Sequence, residues 1–263
     1  MERPHFATVV KLGGALLADP AALAAVWSGV ATLCSAGPIV VVHGGGPQAT
    51  ALARRLGHEP RFVAGRRVTT DLDLDIALWT MRGALNARLV ASARATGLPA
   101  VGLSGVDGGL VTVERRPPKM VDGTTVDFGH VGDVTGSDPA VLEALIEAGF
   151  IPIIAPLCAD GAGHVYNVNA DTVALTLAEA AWADTLLFVA ESGGVFRDPA
   201  DPSSRLAGLD VRGFEAGVAE GWIAGGMRPK LEVGFEARRF GVPHVRICAP
   251  DGLADETSGT VLR

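Results

Sequence analysis

Short apolar runs that end in glycine and give way to segments of helical period recur along the whole chain of 263 residues. Residues 7–12 read as a strand, residues 20–35 as a helix and residues 38–42 as a second strand, which together make one βαβ unit. The next helix, residues 47–56, carries proline at its start and glycine just past its end, as helix termini favour. Such alternation leaves few architectures. The expected one is a mostly parallel sheet with right-handed crossovers, helices on both faces and ligands gathered at the carboxyl ends of the strands.

The pattern continues with a polar, β-rich excursion at residues 61–70, a long helix at 71–95 and a strand at 100–103. Residues 108–136 break into short alternating segments that predict hairpins projecting from the main sheet, placed to cover or line a site. Regular order returns with helix 139–148, strand 151–156, helix 170–183 and strand 185–189. After a Pro/Ser/Gly loop at 191–204 come helices 211–220 and 227–240, a last strand at 245–249 and an edge strand at 260–262. No flexible linker interrupts the chain, so one or two tightly joined lobes are expected, with any boundary near residues 157–165.

Composition narrows the function. Lys and Arg total 22 against 29 Asp and Glu, a net charge of −7, and no block of like charge occurs, which argues against a nucleic-acid partner. The longest apolar runs are strand-sized and fall short of the ~20 residues that cross a bilayer. Lys11 interrupts the only early apolar stretch that could serve as a signal-peptide core, so a cytoplasmic protein is expected. Cys34, Cys158 and Cys248 stand far apart in apolar stretches without metal-type spacing, and read as packed thiols.

Of the basic residues only Lys11, Lys119 and Lys230 are lysines. A chain this biased toward arginine keeps lysine where a compact ammonium is required. Lys119, in the polar stretch Arg115-Arg116-Pro117-Pro118-Lys119, reads instead as a surface residue. Lys11 closes the first strand ahead of Gly13 and Gly14, whose amides can turn toward an anion. His43-Gly44-Gly45-Gly46-Pro47-Gln48 repeats the arrangement at the end of the second strand, with a helix N-terminus directly behind it. Neither loop is a Walker P-loop or a GxGxxG turn. Asn167-Val168-Asn169-Ala170-Asp171 precedes a helix, where capping explains one of its three polar residues. Lys230 falls in the first turn of a helix, where the dipole disfavours a cation and an anionic partner is called for. Arg67 can grip a carboxylate with two parallel hydrogen bonds.

Taken together, Lys11-Leu12-Gly13-Gly14, His43-Gly44-Gly45-Gly46-Pro47-Gln48, Arg67-Val68-Thr69, Gly102-Leu103-Ser104-Gly105-Val106-Asp107-Gly108, Asn167-Val168-Asn169-Ala170-Asp171 and Gly226-Met227-Arg228-Pro229-Lys230 resemble, in order, the motifs of the amino acid kinase family. Within it the chain is most similar to the branch that phosphorylates N-acetyl-L-glutamate in arginine biosynthesis. The resemblance implies a three-layer α/β/α fold with a mostly parallel sheet and β-hairpin insertions. It implies an N-terminal lobe, residues 1–160, for acetylglutamate and dimerisation, and a C-terminal lobe, residues 161–263, for ATP. Lys11 and Lys230 would stabilise the transferring phosphoryl group, with Asp171 holding both ammoniums. Gly45, Gly46, Arg67 and Asn167 would bind acetylglutamate, Arg67 taking its α-carboxylate. Gly13, Gly14, Glu191, Ser192, Gly193, Gly194, Ile223 and Ala224 would contact the nucleotide. Mg²⁺ would arrive on ATP, with no protein metal ligand.

One departure stands out, because relatives carry Thr or Ser followed by Asp or Asn after the strand ending at Val189, and this chain has Ala190-Glu191. A kinase of the same fold acting on carrier-bound aminoadipate is the nearest rival, and a non-catalytic amino-acid sensor is the rival of another class. Arginine-inhibited relatives carry an extra helix ahead of the first strand, whereas ten residues precede Lys11 here, so an arginine-insensitive homodimer is expected.

Overall fold

The structure, a computed structural model, describes residues 8–263; what the sequence suggests for residues 1–7 lies outside the described residues. The chain starts β1 (Thr8–Leu12), α1 (Pro20–Cys34), β2 (Ile39–His43) and α2 (Gly46–Arg55). A small hairpin, β3 (Phe62–Val63) and β4 (Arg66–Arg67), leads to α3 (Asp71–Ala77), which runs through a π-helical stretch at Leu78–Leu85 into α4 (Asn86–Ala95) and then β5 (Ala100–Ser104). Next come β6 (Val111–Arg115), β7 (Lys119–Val121), β8 (Thr124–Val126), β9 (Gly132–Ser137), α5 (Ala140–Glu147), β10 (Ile151–Ala155), β11 (Leu157–Ala159) and β12 (Val165–Asn167). The last part holds α6 (Ala170–Ala180), β13 (Thr185–Val189), β14 (Gly208–Leu209), α7 (Val211–Glu220), α8 (Met227–Phe240), β15 (His244–Cys248) and β16 (Thr260–Leu262).

Among the described residues, eight strands form one sheet in the order β14-β16-β15-β13-β1-β2-β10-β5. Its pairs are parallel except β15 with β16. Residues 260–262 therefore do not form the edge strand expected from the sequence: β16 lies between β14 and β15, because the two-residue strand β14 caps it. Strands β6 and β9, from the strand-rich stretch between β5 and β10, join β11 and β12, which follow β10, in a second sheet of order β12-β11-β6-β9, and β7 and β8 pair as a separate hairpin.

Side-chain alternation along each strand feeds two cores. On one face Val9, Val42, Ile154 and Phe188 pack with Val173 and Leu177 of α6 and Leu231 and Phe235 of α8. On the other, Val10, Leu12, Val41 and Ile153 pack with Val26, Trp27 and Val30 of α1 and Leu89 of α4. A period of two puts Lys11 on the face of Val9, toward α6 and α8. His43 falls on the face of Val41 and meets Asn86 at the start of α4. Buried strand side chains of this size contribute roughly 1.5–3 kcal/mol each, and they fix the sheet ends on which the polar groups stand.

The long helix expected over 71–95 exists, with a π-helical turn inside it. That stretch brings Met81 against the second glycine loop, where a Cβ on Gly45 would lie 2.7 Å from Met81 Cγ. The three cysteines are free thiols; burial pushes Cys158 up to about 12 and Cys248 up to about 11. Among the described residues no helix is long and apolar enough to cross a membrane.

Candidate active site

Three charged side chains far apart in sequence meet above the carboxyl ends of the central strands. Lys11 Nζ lies 2.8 Å from Asp171 Oδ1, and Lys230 Nζ lies 3.1 Å from the same oxygen and 3.3 Å from Oδ2. All three residues are buried. Each arrives for a local reason. Lys11 is carried by β1 between β13 and β2, in register with Phe188 and Val42. Asp171 sits in the first turn of α6, where Asn169 caps the helix by accepting from the Asp171 amide at 2.8 Å, and the dipole favours its charge. Lys230 closes the first turn of α8, packed over the Phe188 ring at 5.1 Å.

Two ammoniums share one carboxylate, so the cluster carries one uncompensated positive charge in a buried setting. Burial pushes the Asp171 carboxyl up, but the two lysines outweigh it and hold it below its ordinary value. Burial, reinforced by repulsion from Lys11, pulls Lys230 down to about 8 against the attraction of Asp171. A group so arranged is relieved by an anion that approaches both ammoniums.

The two glycine loops supply the backbone for such an anion. Gly13 N–H is held by Val189 O and Gly44 N–H by Leu12 O, so both loops continue their strands. They then pack on each other so closely that a Cβ on Gly14 would lie 2.9 Å from Pro47 Cδ and 3.1 Å from Gly45 N. The first hydrogen bond of α2 runs from Ala49 N–H to Gly45 O, which leaves the amides ahead of Ala49 as a helix N-terminus for an anion. Gln48 Nε2 donates to Gly14 O at 2.7 Å and ties the loops together, while its buried Oε1 finds no partner among the described residues. Gln48 stood in the sequence motif without a role; its neighbour 34 positions away is a tertiary fact.

His43 and Asn86 brace the second loop from beneath. Asn86 Nδ2 approaches His43 Nε2 at 3.1 Å and donates to Ile153 O at 2.9 Å, and His43 Nδ1 meets Gly44 O at 2.7 Å. Burial lowers His43 to about 4, so the ring is neutral, donating from Nδ1 and accepting at Nε2.

Arg67, at the end of β4, reaches back to α2. Its Nη2 donates to Thr50 Oγ1 at 2.5 Å and to Gly46 O at 3.3 Å, its Nη1 lies 3.5 Å from Asp73 Oδ1, and its guanidinium stacks over Phe62 at 4.8 Å. Asp73 belongs to a capping box: Thr70 donates to it from N and Oγ1, and His58 Nε2 lies 3.1 Å away. Burial alone would push the Asp73 carboxyl up, and these donors hold it below its ordinary value. Thr70 and Asp73, three positions apart, cap the start of α3, and the same carboxylate faces Arg67.

Asn167, at the end of β12, places Nδ2 3.5 Å from Thr69 Oγ1. With Arg67, Asn169, Arg116, Lys119 and Glu232 it lines an open cavity of about 600 Å³ beside Pro229. Lys119 is half-exposed, 3.6 Å from Asp133, as its polar setting suggests. The residues expected at the nucleotide divide. Glu191 to Gly194 form the loop that follows β13, with Gly193 N–H donating to Ala190 O. Ala224 is exposed, whereas Ile223 is buried against α7: a Cβ on Gly217 would lie 2.6 Å from its side chain, and its N–H donates to Gly217 O at 3.0 Å. Nearby, Arg197, Leu209 and Trp222 line a second cavity of about 330 Å³. Among the described residues no group of three or more His, Cys, Asp or Glu side chains is gathered to hold a metal ion.

Residues 7–249 match the profile of the amino acid kinase family. The chain is 45% identical over 243 residues to an acetylglutamate kinase of Anaeromyxobacter dehalogenans (strain 2CP-C), covering 91% of this chain and 90% of that one. It is 43% identical over 224 residues to an acetylglutamate kinase of Methanopyrus kandleri, covering 85% and 90%. Among solved structures, an N-acetylglutamate synthase from Neisseria gonorrhoeae complexed with coenzyme A and N-acetyl-glutamate superposes with a TM-score of 0.80 at 25% identity over 98% of this chain, which spans 59% of the synthase chain. Carbamate kinase from Giardia lamblia, at 17% identity and a TM-score of 0.69 over 99% of this chain and 98% of that one, shares the fold.

Proposed function

The chain belongs to the amino acid kinase family, and we propose that it transfers the γ-phosphoryl group of MgATP to the side-chain carboxylate of N-acetyl-L-glutamate, forming an acyl phosphate. The observation that carries this reading is the buried Lys11–Asp171–Lys230 cluster with its one excess positive charge. It lies beside two facing glycine loops, at the place where a parallel sheet of this kind binds ligands.

The acceptor carboxylate is ionised at neutral pH, so the reaction needs no general base. What the protein supplies is alignment and charge stabilisation. Lys11 and Lys230 bear on the oxygens of the moving phosphoryl group, and Asp171 keeps both ammoniums apart and aimed. Backbone amides at Gly14 and Gly45 complete the cradle, and Gly45 and Gly46 also face acetylglutamate, while Gly13 and Gly44 N–H stay bound to Val189 O and Leu12 O. Arg67 takes the α-carboxylate of acetylglutamate and Asn167 a polar group beside it. Mg²⁺ enters with the nucleotide and balances part of its charge. The nucleotide itself is assigned to the C-terminal lobe, residues 161–263, along the Glu191–Gly194 loop and toward the cavity by Trp222; acetylglutamate and a two-fold dimer contact are assigned to residues 1–160.

Trapping with hydroxylamine tests the reaction directly. With acetylglutamate, aminoadipate, aspartate and glutamate offered side by side, the hydroxamate is expected from acetylglutamate; product from another acceptor alone would replace the substrate proposed here. Replacing Arg67 with alanine removes a charge-assisted carboxylate partner, worth about 1.5–3 kcal/mol, and is expected to raise the acetylglutamate KM by roughly ten-fold or more. An unchanged KM would take Arg67 out of the substrate site.

The pH dependence follows from Lys230. Its ammonium titrates at about 8 in the free protein and binds a polyphosphate only while protonated. The kcat/KM for ATP is therefore expected to decline as pH rises through about 8. Bound triphosphate favours the protonated form, so the matching limb of kcat lies at higher pH. A kcat/KM profile that stays flat between pH 7 and 10 would contradict this assignment.

A further inference from the structure

We infer that Thr50 is a positioning residue for acceptor recognition: it sets the orientation and reach of Arg67 relative to the glycine cradle, with Asp73 and its partners Thr70 and His58 holding the guanidinium from the other side. This rests on the reading of Arg67 as the carboxylate partner of the acceptor.

An arginine leaving a two-residue strand has four flexible side-chain bonds and no reason of its own to point anywhere. Here it is held from three elements. Thr50 Oγ1 on α2 accepts from Nη2 at 2.5 Å, the shortest of its contacts; Gly46 O on the same helix accepts at 3.3 Å; and Asp73 Oδ1 on α3 stands 3.5 Å from Nη1. Phe62 covers one face of the guanidinium. Thr50 and Gly46 are four residues apart on one helix face, and Gly46 belongs to the loop that packs on Gly14. The same rigid helix therefore carries both the proposed phosphoryl cradle and the anchor of the arginine that grips the other end of the acceptor.

That coupling gives Thr50 a role in specificity. For in-line transfer the attacking carboxylate oxygen must stand within about 3–3.5 Å of the phosphorus, so the span from Arg67 to the cradle measures the length of the acceptor. An acceptor longer by one methylene puts its carboxylate out of register. A guanidinium released from Thr50 can swing to accommodate it.

The test is a set of steady-state measurements on the full chain. Thr50→Val removes the hydroxyl while keeping shape, and is expected to raise the acetylglutamate KM about ten-fold with the ATP KM unchanged. It is also expected to narrow the preference for acetylglutamate over N-acetyl-2-aminoadipate, measured as the ratio of kcat/KM values. Thr50→Ser, which restores the hydroxyl, is expected to restore both. In a double-mutant cycle, Thr50→Val should add little once Arg67 is alanine.

An acetylglutamate KM and an acceptor ratio within two-fold of the parent, a serine variant that behaves like valine, or an equal effect of Thr50→Val with and without Arg67 would each overturn the inference. If Arg67→Ala itself leaves KM unchanged, the underlying reading of Arg67 fails first, and the Thr50 inference with it. A raised KM for Arg67→Ala beside a silent Thr50→Val overturns the Thr50 inference alone.

Discussion

Alanine in place of Lys11 or of Lys230 is expected to lower kcat by roughly a hundred- to thousand-fold, the cost of removing one preorganised donor from a site of developing negative charge. The KM for acetylglutamate should stay within a few-fold, since neither ammonium is assigned to the resting acceptor. Folding is not expected to suffer in step with turnover. Removing one lysine leaves a single ammonium 2.8 or 3.1 Å from the Asp171 carboxylate, which is a balanced buried pair in place of a cluster with excess charge. Steady-state kinetics alongside thermal unfolding separates the two effects. Near-normal turnover in both variants would remove the cluster from catalysis.

Asp171→Asn works the other way. It leaves two buried ammoniums without a counter-charge, and the stability at pH 7 is expected to fall by about 3–5 kcal/mol, the range for breaking a buried charge network from one side. The sign of its pH dependence can be worked out. In the parent protein Lys230 titrates at about 8 when folded against about 10.4 when unfolded. The unfolded chain therefore holds more protons across that window, and this contribution to stability grows as pH rises through it. Without Asp171 the folded value drops further, because the carboxylate is what draws it up. The deficit of the variant should thus narrow as pH rises from 7 to 9. Urea unfolding at the two pH values measures it; a deficit that is absent at pH 7, or that widens at pH 9, would mean the two ammoniums are not held by this carboxylate.

The contrast between these variants marks what the sequence could and could not carry. Glycine-ended apolar runs foretold the parallel sheet, and three lysines in an arginine-rich chain singled out Lys11 and Lys230. Helix-end chemistry explains why a lysine in the first turn of α8 needs an anionic partner, and the structure provides Asp171 at that place. Partnerships across long sequence separations were harder to read. Thr50, Arg67 and Asp73 meet only because α2, the β3–β4 hairpin and α3 converge, and each alone is an ordinary surface-type residue. The strand at Thr260–Leu262 looked like an edge because the two-residue partner beyond it, Gly208–Leu209, carries no period that a sequence can show. The π-helical stretch Leu78–Leu85 carries no periodicity that separates it from the helix around it, and the contacts that accompany it, Met81 against Gly45 and Asn86 donating to Ile153 O, are tertiary.

The central claim is that the excess charge shared by Lys11, Asp171 and Lys230 is where the phosphoryl group is transferred. A crystal structure of the protein with MgADP, aluminium fluoride and acetylglutamate addresses it most directly. The fluoride mimic of the phosphoryl group is expected between the ammoniums of Lys11 and Lys230, within hydrogen-bond distance of both and facing the side-chain carboxylate of acetylglutamate. A mimic bound elsewhere, with either lysine remaining turned to Asp171 and out of its reach, would contradict the account.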